Sequence, residues 1–403
     1  MTVKLAPAPW QDLPGMARLL DALGAASGDT RYVGGCVRDG LLNLPVSDVD
    51  LATRLDPHEV VRRLKAANLK AVPTGLAHGT VTAVLAGARV EVTTLRRDVS
   101  TDGRRATIAY TDDWREDAAR RDFTINALSA DPHSLEVFDY FAGAADLAER
   151  RLRFIGDPLT RIAEDHLRIL RFFRFHARFG RGEPDAAALD ACAARANDLM
   201  ALSRERIADE LLKLLALPDP APTVALMVDR RILAAVLPEI SSHGVEALEA
   251  VVRAETAANV TADPLRRLAA LLPADPAVAG AIAARLRLSN KAAKRLACAA
   301  GREPADAGNP LALAYRVGLA EAVDRLLLGG ASGLAVSLQG WARPSFPLGG
   351  GDLIAMGLKP GPVVAATLQA AERDWIAAGF PADPSAVRGL AQARVDQALR
   401  ASQ

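Results

Sequence analysis

Two acidic side chains stand two positions apart in the segment Ser47–Thr53, which reads SDVDLAT. The segment is typical of a β-strand, and residues two apart on a strand point to the same side. Asp48 and Asp50 would therefore present their carboxylates together. Adjacent carboxylates repel each other, and oxygen ligands of this kind suit Mg²⁺, which proteins hold through one or two carboxylates plus substrate phosphates. The alternative is a solvated acidic pair on an edge strand.

A glycine pair precedes this acidic pair. Gly34 and Gly35 allow a tight turn and a close approach to a ligand, because glycine has no Cβ. Cys36–Leu42 is predicted to be a short helix whose free N–H groups face the turn, which is a favourable place for phosphate oxygens. Arg38 lies within that helix. A phosphate-binding turn beside a carboxylate pair indicates metal-assisted phosphoryl or nucleotidyl transfer.

Composition limits the other possibilities. The chain has 403 residues, of which 50% are hydrophobic, and this is enough for two or more folded domains. It shows no charge-free apolar run of membrane-spanning length and no apolar segment typical of a signal peptide. Its three cysteines, an odd number at wide spacing, favour a reducing cytoplasm over a disulfide framework or a zinc site. The net charge of +1 means that any binding of nucleic acid must use local arginine-rich patches.

Further strands are predicted after the acidic pair, and they would form a sheet with its strand. Val81–Leu85 and Arg89–Leu95 read as a hairpin. Glu91 interrupts the apolar alternation of the second strand, as an outward-facing carboxylate would. Asp98–Asp113 is polar and aperiodic and is predicted to be a long loop of the kind used as a lid.

Helices are predicted to dominate the chain after this loop. Asp117–Leu128 reads as a helix with its apolar side chains inward, and Arg151–Ile155 as a last short strand. Pro158–Arg178 is predicted to be one continuous amphipathic helix. Along it Asp165, Arg168, Arg171 and Arg174 follow at three-residue steps, so that each neighbours the next.

Several segments together resemble the class II nucleotidyltransferases of the polymerase β superfamily, which comprise tRNA CCA-adding enzymes and bacterial poly(A) polymerases. The resemblance rests on GGCVRDGLLNLPVSDVDLAT at 34–53, RRDFTIN at 120–126, GAADLAERRLRFIG at 143–156, EDHLR at 164–168 and LSRERIADELLKLLAL at 202–217. A weaker match, GGGDLIAMGLKPGPVVAATL at 349–368, is similar to a C-terminal segment of the CCA-adding enzymes. The resemblance as a whole implies an α+β fold. A mixed-sheet catalytic head would span 1–155, followed by a helical neck with a nucleotide-selecting helix at 156–217, a helical body at 218–345 and a helical tail at 346–403.

The resemblance also implies roles for individual residues. Asp48 and Asp50 would hold Mg²⁺, with Glu91 as a possible third catalytic acid. Asp165 and Arg168 would imitate the pairing edge of a nucleotide and select C and A over G and U. The loop Asp98–Asp113 would assist the addition of the terminal A. The other residues implied to bind the nucleotide are Gly35, Arg38, Arg121, Asp122, Arg171 and Arg174.

The implied activity is the addition of C, C and A to the 3′ end of tRNA from CTP and ATP, with release of pyrophosphate. The expected partners are the 3′ end and acceptor arm of tRNA, with no membrane, and the chain would act as a monomer or homodimer. A bacterial poly(A) polymerase has the same head motifs, but the PGP-containing segment near the C-terminus and the lack of a basic tail favour CCA addition. Two further possibilities are an enzyme that adds only CC or only A, and a non-catalytic RNA-binding protein.

Overall fold

The computed structural model of the chain describes residues 3–102 and 105–401, and for residues 98–102 and 105–107 it describes the backbone alone. These residues form two compact units, the first ending at Pro238 and the second beginning at Glu239. Strands occur in the first unit, and the second is helical throughout its described length, which confirms the α+β class. The finer division of the chain at residues 155, 217 and 345 remains a prediction.

The first unit is built on a mixed sheet. Its strands in the described residues run in the order β3-β4-β5-β2-β1-β8-β9, and a separate two-stranded ribbon consists of β6 and β7. β2 pairs with β5 in parallel and with β1 antiparallel. The strands are β1 (Thr30–Val33), β2 (Val49–Thr53), β3 (Lys70–Gly75), β4 (Thr80–Leu85), β5 (Ala88–Thr94), β6 (Arg96–Asp102), β7 (Arg105–Tyr110), β8 (Ser129–Ala130) and β9 (Val137–Phe138).

The alternation of side chains explains why one face of this sheet is covered. In β5, Val90 and Val92 are buried while Arg89 and Glu91 are exposed, which is the period of two that a strand imposes. The predicted hairpin is present as the antiparallel pair β4 and β5. A helix rich in buried Val and Leu packs against β3 and β4. The helices of this half of the unit are α1 (Met16–Ala22), α2 (Gly35–Leu41), α3 (Pro57–Ala66), α4 (Trp114–Ala119) and α5 (Gly143–Ala148).

The predicted loop Asp98–Asp113 is wrong where the structure describes it. Residues 96–102 and 105–110 form the antiparallel ribbon of β6 and β7, whose register shifts once between Asp98 and Ser100. Residues 103 and 104 lie outside the described residues. The segment is mostly polar and has no apolar alternation. The hydrophobic pattern used to recognise strands is therefore missing.

The predicted helix Asp117–Leu128 is also wrong beyond its first residues. α4 ends at Ala119, and only a 3-10 turn, Thr124–Asn126, follows. The backbone carbonyls of Arg120 and Arg121 accept hydrogen bonds from the guanidinium of Arg161 rather than from a following helical turn. The predicted strand Arg151–Ile155 is reduced to a single bridge between Phe154 and Phe123.

The helix predicted over Pro158–Arg178 is broken in two at Asp165. Asp165 is extended, with φ −153°, and its carboxylate accepts the backbone N–H of Leu167 at 3.1 Å. Aspartate competes with the helix by such local hydrogen bonds. The helices on either side and those that complete the first unit are α6 (Pro158–Glu164), α7 (Arg168–Phe179), α8 (Ala186–Ala194), α9 (Arg204–Leu215) and α10 (Ala221–Asp229).

Aromatic rings join α7 to the sheet-bearing half of the first unit. The Phe123 ring lies 4.9 Å from Phe154 and 5.4 Å from Phe175, centroid to centroid, and Phe154 stacks on Phe172 at 5.7 Å. Phe123 and Phe172 are fully buried. Such pairs stabilise a core beyond the area that they bury. The charged face of α7 is therefore held in a fixed position beside the residues that follow α4.

The second unit is held partly by buried ion pairs. Arg266 contacts Glu255 at 2.6 Å and Asp324 at 2.8 Å, and all three side chains are almost inaccessible. No single helix of the described chain is long and apolar enough to cross a membrane, and one pair, bent by 118°, satisfies that test only when combined. The helices are α11 (Ser242–Ala257), α12 (Pro264–Leu271), α13 (Pro276–Arg285), α14 (Asn290–Ala300), α15 (Pro310–Val317), α16 (Leu319–Leu328), α17 (Ser332–Ser337), α18 (Gly350–Ala355), α19 (Pro362–Ala377) and α20 (Pro384–Ala401).

Candidate active site

Three acidic residues face one cavity at the sheet. Asp50 and Glu91 are direct partners in the parallel register of β2 and β5. Asp48, Asp50 and Glu91 all line one cavity of about 600 Å³. Asp48 lies outside the strand, because β2 begins at Val49 rather than at the predicted Ser47. It nevertheless lines the same cavity as Asp50.

Ionisation of Asp50 is unfavourable in the metal-free protein. Burial, followed by repulsion from Glu91 and Asp48, raises the pKa of Asp50 to about 6, whereas Arg121 acts to lower it. A carboxylate that is costly to ionise in this way is stabilised by a bound cation. Within the described residues no three acidic, His or Cys side chains are grouped closely enough to ligate one ion. The binding of a divalent ion by Asp48 and Asp50, with substrate oxygens completing its shell, stays a prediction.

Arg121 lies beside the glycine turn. Gly34 has a φ of +68°, and a Cβ added there would lie 2.8 Å from Nη1 of Arg121. The guanidinium is held by the carboxylate of Asp117 at 3.3 Å and remains partly accessible. Gly35 begins α2, and only Arg38 comes near the position of an added Cβ there. The absence of a side chain at Gly34 is therefore what lets an arginine approach this backbone, next to the acidic residues.

Arg38 occupies the interior. Its side chain is 7% exposed and is paired with Asp39 at 2.8 Å. Nη1 donates to the side-chain oxygen of Asn126 at 2.5 Å, and the guanidinium lies 4.2 Å from the ring centroid of Phe179. Burial lowers the pKa of Arg38. Binding of a phosphate by Arg38 stays a prediction, and in this structure its partners are protein groups.

Asp122 and two arginines of α7 belong to one ion-pair network. Asp122 accepts Arg171 at 2.6 Å, and Arg171 also approaches Glu210 of α9 at 3.7 Å. Arg174 donates to Glu210 at 2.6 Å. Asp122 also accepts a hydrogen bond from the side-chain amide of Asn126. Burial acts to raise the pKa of Asp122, but the pKa is lowered overall, chiefly by the charge of Arg171. The network fixes the charged face of α7 against both α9 and the residues after α4.

Asp165 and Arg168 do not pair with each other. Asp165 accepts Arg206 of α9 at 2.8 Å, and about 29% of its side chain is exposed. Arg168 pairs with Glu164 and donates to the backbone carbonyl of Arg161 at 2.7 Å. The break between α6 and α7 separates the two residues from the single helical surface on which they were expected. Both are part-buried, and Arg168 also approaches the backbone carbonyl of Arg120, after α4, at 3.4 Å.

Sequence reasoning missed the residues that hold these side chains in place. Glu210 is 4% exposed and serves both Arg171 and Arg174. Arg206 and Glu210 stand four residues apart on α9, so they share one face of that helix. That spacing within RERIADELL was a readable signal of a polar contact with another helix. It did not identify α7 as the partner.

Known proteins resemble this chain in sequence and in fold. Residues 30–153 match the Poly A polymerase head domain, and residues 183–243 match the family described as the probable RNA and SrmB-binding site of polymerase A. The chain is similar in fold to the Bacillus stearothermophilus CCA-adding enzyme in complex with CTP, with a TM-score of 0.71 at 24% identity over 95% of this chain and 98% of that one. It is also similar to the Thermotoga maritima CCA-adding enzyme complexed with tRNA_CCA, with a TM-score of 0.68 at 21% identity over 96% and 94%.

Sequence relatives extend the likeness beyond fold. The mitochondrial CCA tRNA nucleotidyltransferase 1 of Mus musculus is 33% identical over 94% of this chain and 90% of its own length. The CCA-adding enzyme of Lacticaseibacillus paracasei is 37% identical over 56% of this chain and 55% of its own length. Since the first of these likenesses spans almost the whole of both proteins, the chain belongs to the family of CCA tRNA nucleotidyltransferases.

Proposed function

We propose that this chain adds C, C and A to the 3′ end of tRNA, using CTP and ATP and releasing pyrophosphate. The observation that carries the proposal is the position of Asp48 and Asp50, on one cavity and next to an arginine that the Gly34 turn admits. In each step the 3′ oxygen of the RNA bonds to the α-phosphorus of the nucleotide. The bond from that phosphorus to the bridging oxygen of pyrophosphate breaks, and the hydroxyl proton is released.

Enzymes of this family use divalent metal ions, and Mg²⁺ is the ion we propose here. Asp48 and Asp50 would hold it, since carboxylate pairs that leave room for substrate phosphates are typical of Mg²⁺. When bound, the ion would supply charge stabilisation of the reacting oxygens. Glu91, opposite Asp50 in the register, would raise the negative potential of the cavity and is the third acid of the proposal.

The nucleotide would be held by residues near the Gly34 turn and on α7. Arg121 and the backbone at Gly35 lie beside the turn and would bind the triphosphate, since a guanidinium fork suits phosphate oxygens. Arg171, paired with Asp122, and Arg174, paired with Glu210, would also contact the triphosphate. Asp122 would lie near the ribose. Arg38 would support the turn from the interior.

Base choice is assigned to Asp165 and Arg168. For both to face one base, Asp165 must exchange Arg206 and Arg168 must exchange Glu164 for the nucleotide. Carboxylate and guanidinium then accept and donate as they do toward base edges in nucleic-acid recognition. The ribbon of β6 and β7 is the element that we assign to A addition, in place of the predicted loop.

A nucleotide-by-nucleotide assay tests this function. A tRNA transcript without its CCA end is incubated with CTP, with ATP and with both in Mg²⁺, and products are resolved at single-nucleotide length. The proposal predicts two additions with CTP and three with both. A long ladder from ATP alone would instead identify a poly(A) polymerase, and arrest after two residues with both nucleotides would identify a CC-adding enzyme.

A cytoplasmic location is a further proposal, supported by three unpaired cysteines.

A further inference from the structure

Two cations share the cavity with the acidic residues. Lys70 of β3 and Arg89 of β5 line it together with Asp48, Asp50 and Glu91. The register places Lys70 opposite Val84, and Val84 opposite Arg89, so the two cations stand in one row across three strands. Adjacent strands are about 4.8 Å apart, which puts the two backbones about 10 Å from each other.

Neither cation has an ion-pair or hydrogen-bond partner for its side chain among the described residues. By contrast, Arg38, Arg121 and Arg171 in the same unit each pair with a carboxylate. Lys70 and Arg89 are exposed, although Glu91 stands two residues from Arg89 on the same face of β5. A cationic row left unpaired beside an acidic pair is suited to a substrate that carries negative charge past that pair.

The strand order gives this row a direction. Arg121 and the Gly34 turn lie toward β1 and β8, whereas Lys70 and Arg89 lie toward β3 and β5, on the opposite side of the acidic residues of β2. In a phosphoryl-type displacement the attacking and leaving oxygens lie roughly in line. If the triphosphate leaves on the side of Arg121, the attacking 3′ oxygen must come from the side of β5, β4 and β3.

We infer that Lys70 and Arg89 form the binding site for the backbone phosphates of the RNA strand whose 3′ end is extended. Thr74 and Thr82 line the same cavity and place their hydroxyls 2.8 Å apart, where they can donate to sugar or phosphate oxygens. Phosphate contacts position a nucleic acid without reading its sequence. This suits a site through which the growing end passes as C and then A is added. The inference rests on the proposed function and names residues that position its RNA substrate.

The test replaces each cation by a neutral side chain and uses the full chain. Lys70→Gln, Arg89→Gln and the double variant are compared with Lys65→Gln on α3 and Arg18→Gln on α1, which remove the same charges from exposed helix positions. Two quantities are measured for tRNA lacking CCA: the equilibrium dissociation constant without nucleotide, and KM with CTP in excess. The KM for CTP is measured with tRNA in excess.

The inference predicts that each cavity variant weakens tRNA binding about tenfold, as loss of a charged hydrogen bond would. It predicts that KM for tRNA rises in parallel, while KM for CTP and the control variants stay near wild type. The slope of log affinity against log salt should fall by about 0.7 for each phosphate that is no longer bound. Unchanged tRNA binding and salt slope, or a rise confined to KM for CTP, would overturn it. A wild-type enzyme that binds tRNA but adds nothing would overturn the proposed function, while the binding comparison would still decide the role of Lys70 and Arg89.

Discussion

At the scale of single residues, burial and neighbouring acids make the ionisation of Asp50 unfavourable. Its carboxyl is half-buried and faces Glu91 and Asp48, so its pKa rises to about 6 from an ordinary value of 3.8. Between these two pH values the folded protein binds more protons than the unfolded chain. Stability contributed by the protonated form is therefore lost as pH rises from about 4 to about 6. Above that pH the metal-free protein carries the full cost of ionised Asp50.

Asp50→Asn should accordingly stabilise the metal-free first unit at pH 7. The shift of roughly two pKa units corresponds to about 3 kcal/mol at most, and partial exposure to solvent reduces this figure. Urea unfolding in EDTA at pH 7 and at pH 4 measures it, with Asp21→Asn at an exposed position of α1 as the control. The gain should shrink at pH 4, where the wild-type carboxyl is protonated in the fold. A loss of stability on Asp50→Asn at pH 7 would show that the ionised group is favourable, contrary to this account.

At the scale of elements, α9 fixes the charged face of α7 through Glu210. Glu210→Ala leaves Arg174 without its carboxylate and Arg171 with Asp122 alone. Removing one partner of a buried ion pair typically costs about 3–5 kcal/mol. The neighbouring Asp209 pairs with Lys213 at an exposed position. Asp209→Ala should therefore cost less than about 1 kcal/mol.

Chemical denaturation of the two variants makes this comparison directly. Nucleotide addition should also slow in Glu210→Ala, because Arg171 and Arg174 lose the group that orients them. Equal and small losses of stability in the two variants would mean that Glu210 is not a buried anchor.

A second element depends on close backbone contact. Gly143 begins α5 against the 3-10 turn after Asp122, and a Cβ there would lie 2.2 Å from the carbonyl oxygen of Thr124. Gly143→Ala should destabilise the first unit by about 1–3 kcal/mol, as overpacking does. Gly280→Ala on α13 is the matched substitution, since nothing lies within 4 Å of its added Cβ. It should be neutral or stabilising by about 1 kcal/mol. Thermal unfolding followed by circular dichroism measures both, and a harmless Gly143→Ala would contradict the contact.

At the scale of the whole molecule, local patterns predicted the sheet better than the connections around it. The alternation in β4 and β5 and the glycine turn at Gly34 were readable, because burial on one face and a positive φ leave direct marks in sequence. The early end of α4 and the break at Asp165 were not readable. The end of α4 depends on Arg161, distant in sequence, which donates to the carbonyls after α4. At Asp165 a local hydrogen bond from Leu167 competes with the helix, and Arg206, also distant in sequence, binds the same carboxylate.

The same distinction separates the parts of the candidate site. Asp48 and Asp50 were expected together from their spacing, whereas Glu91 was placed beside them only by the family resemblance, as one of two alternatives. In the structure all three line one cavity. The burial of Arg38 could not be predicted, because it arises from Phe179 and Asn126 at the far ends of other segments. The position of Lys70 and Arg89 could not be predicted either, because it depends on the strand order, which sets β3 and β5 on the other side of β2 from β1 and the Gly34 turn.

The central claim is that Asp48 and Asp50 together hold the metal at which a nucleotide is joined to tRNA. Single-turnover incorporation of CMP into tRNA lacking CCA, measured in Mg²⁺ for wild type, Asp48→Asn and Asp50→Asn, tests it most directly. Each variant should lose at least about a thousandfold in rate, on the scale of several kcal/mol of charge stabilisation, while tRNA binding and folding stay intact. Incorporation by either folded variant at a rate near that of wild type would contradict the claim.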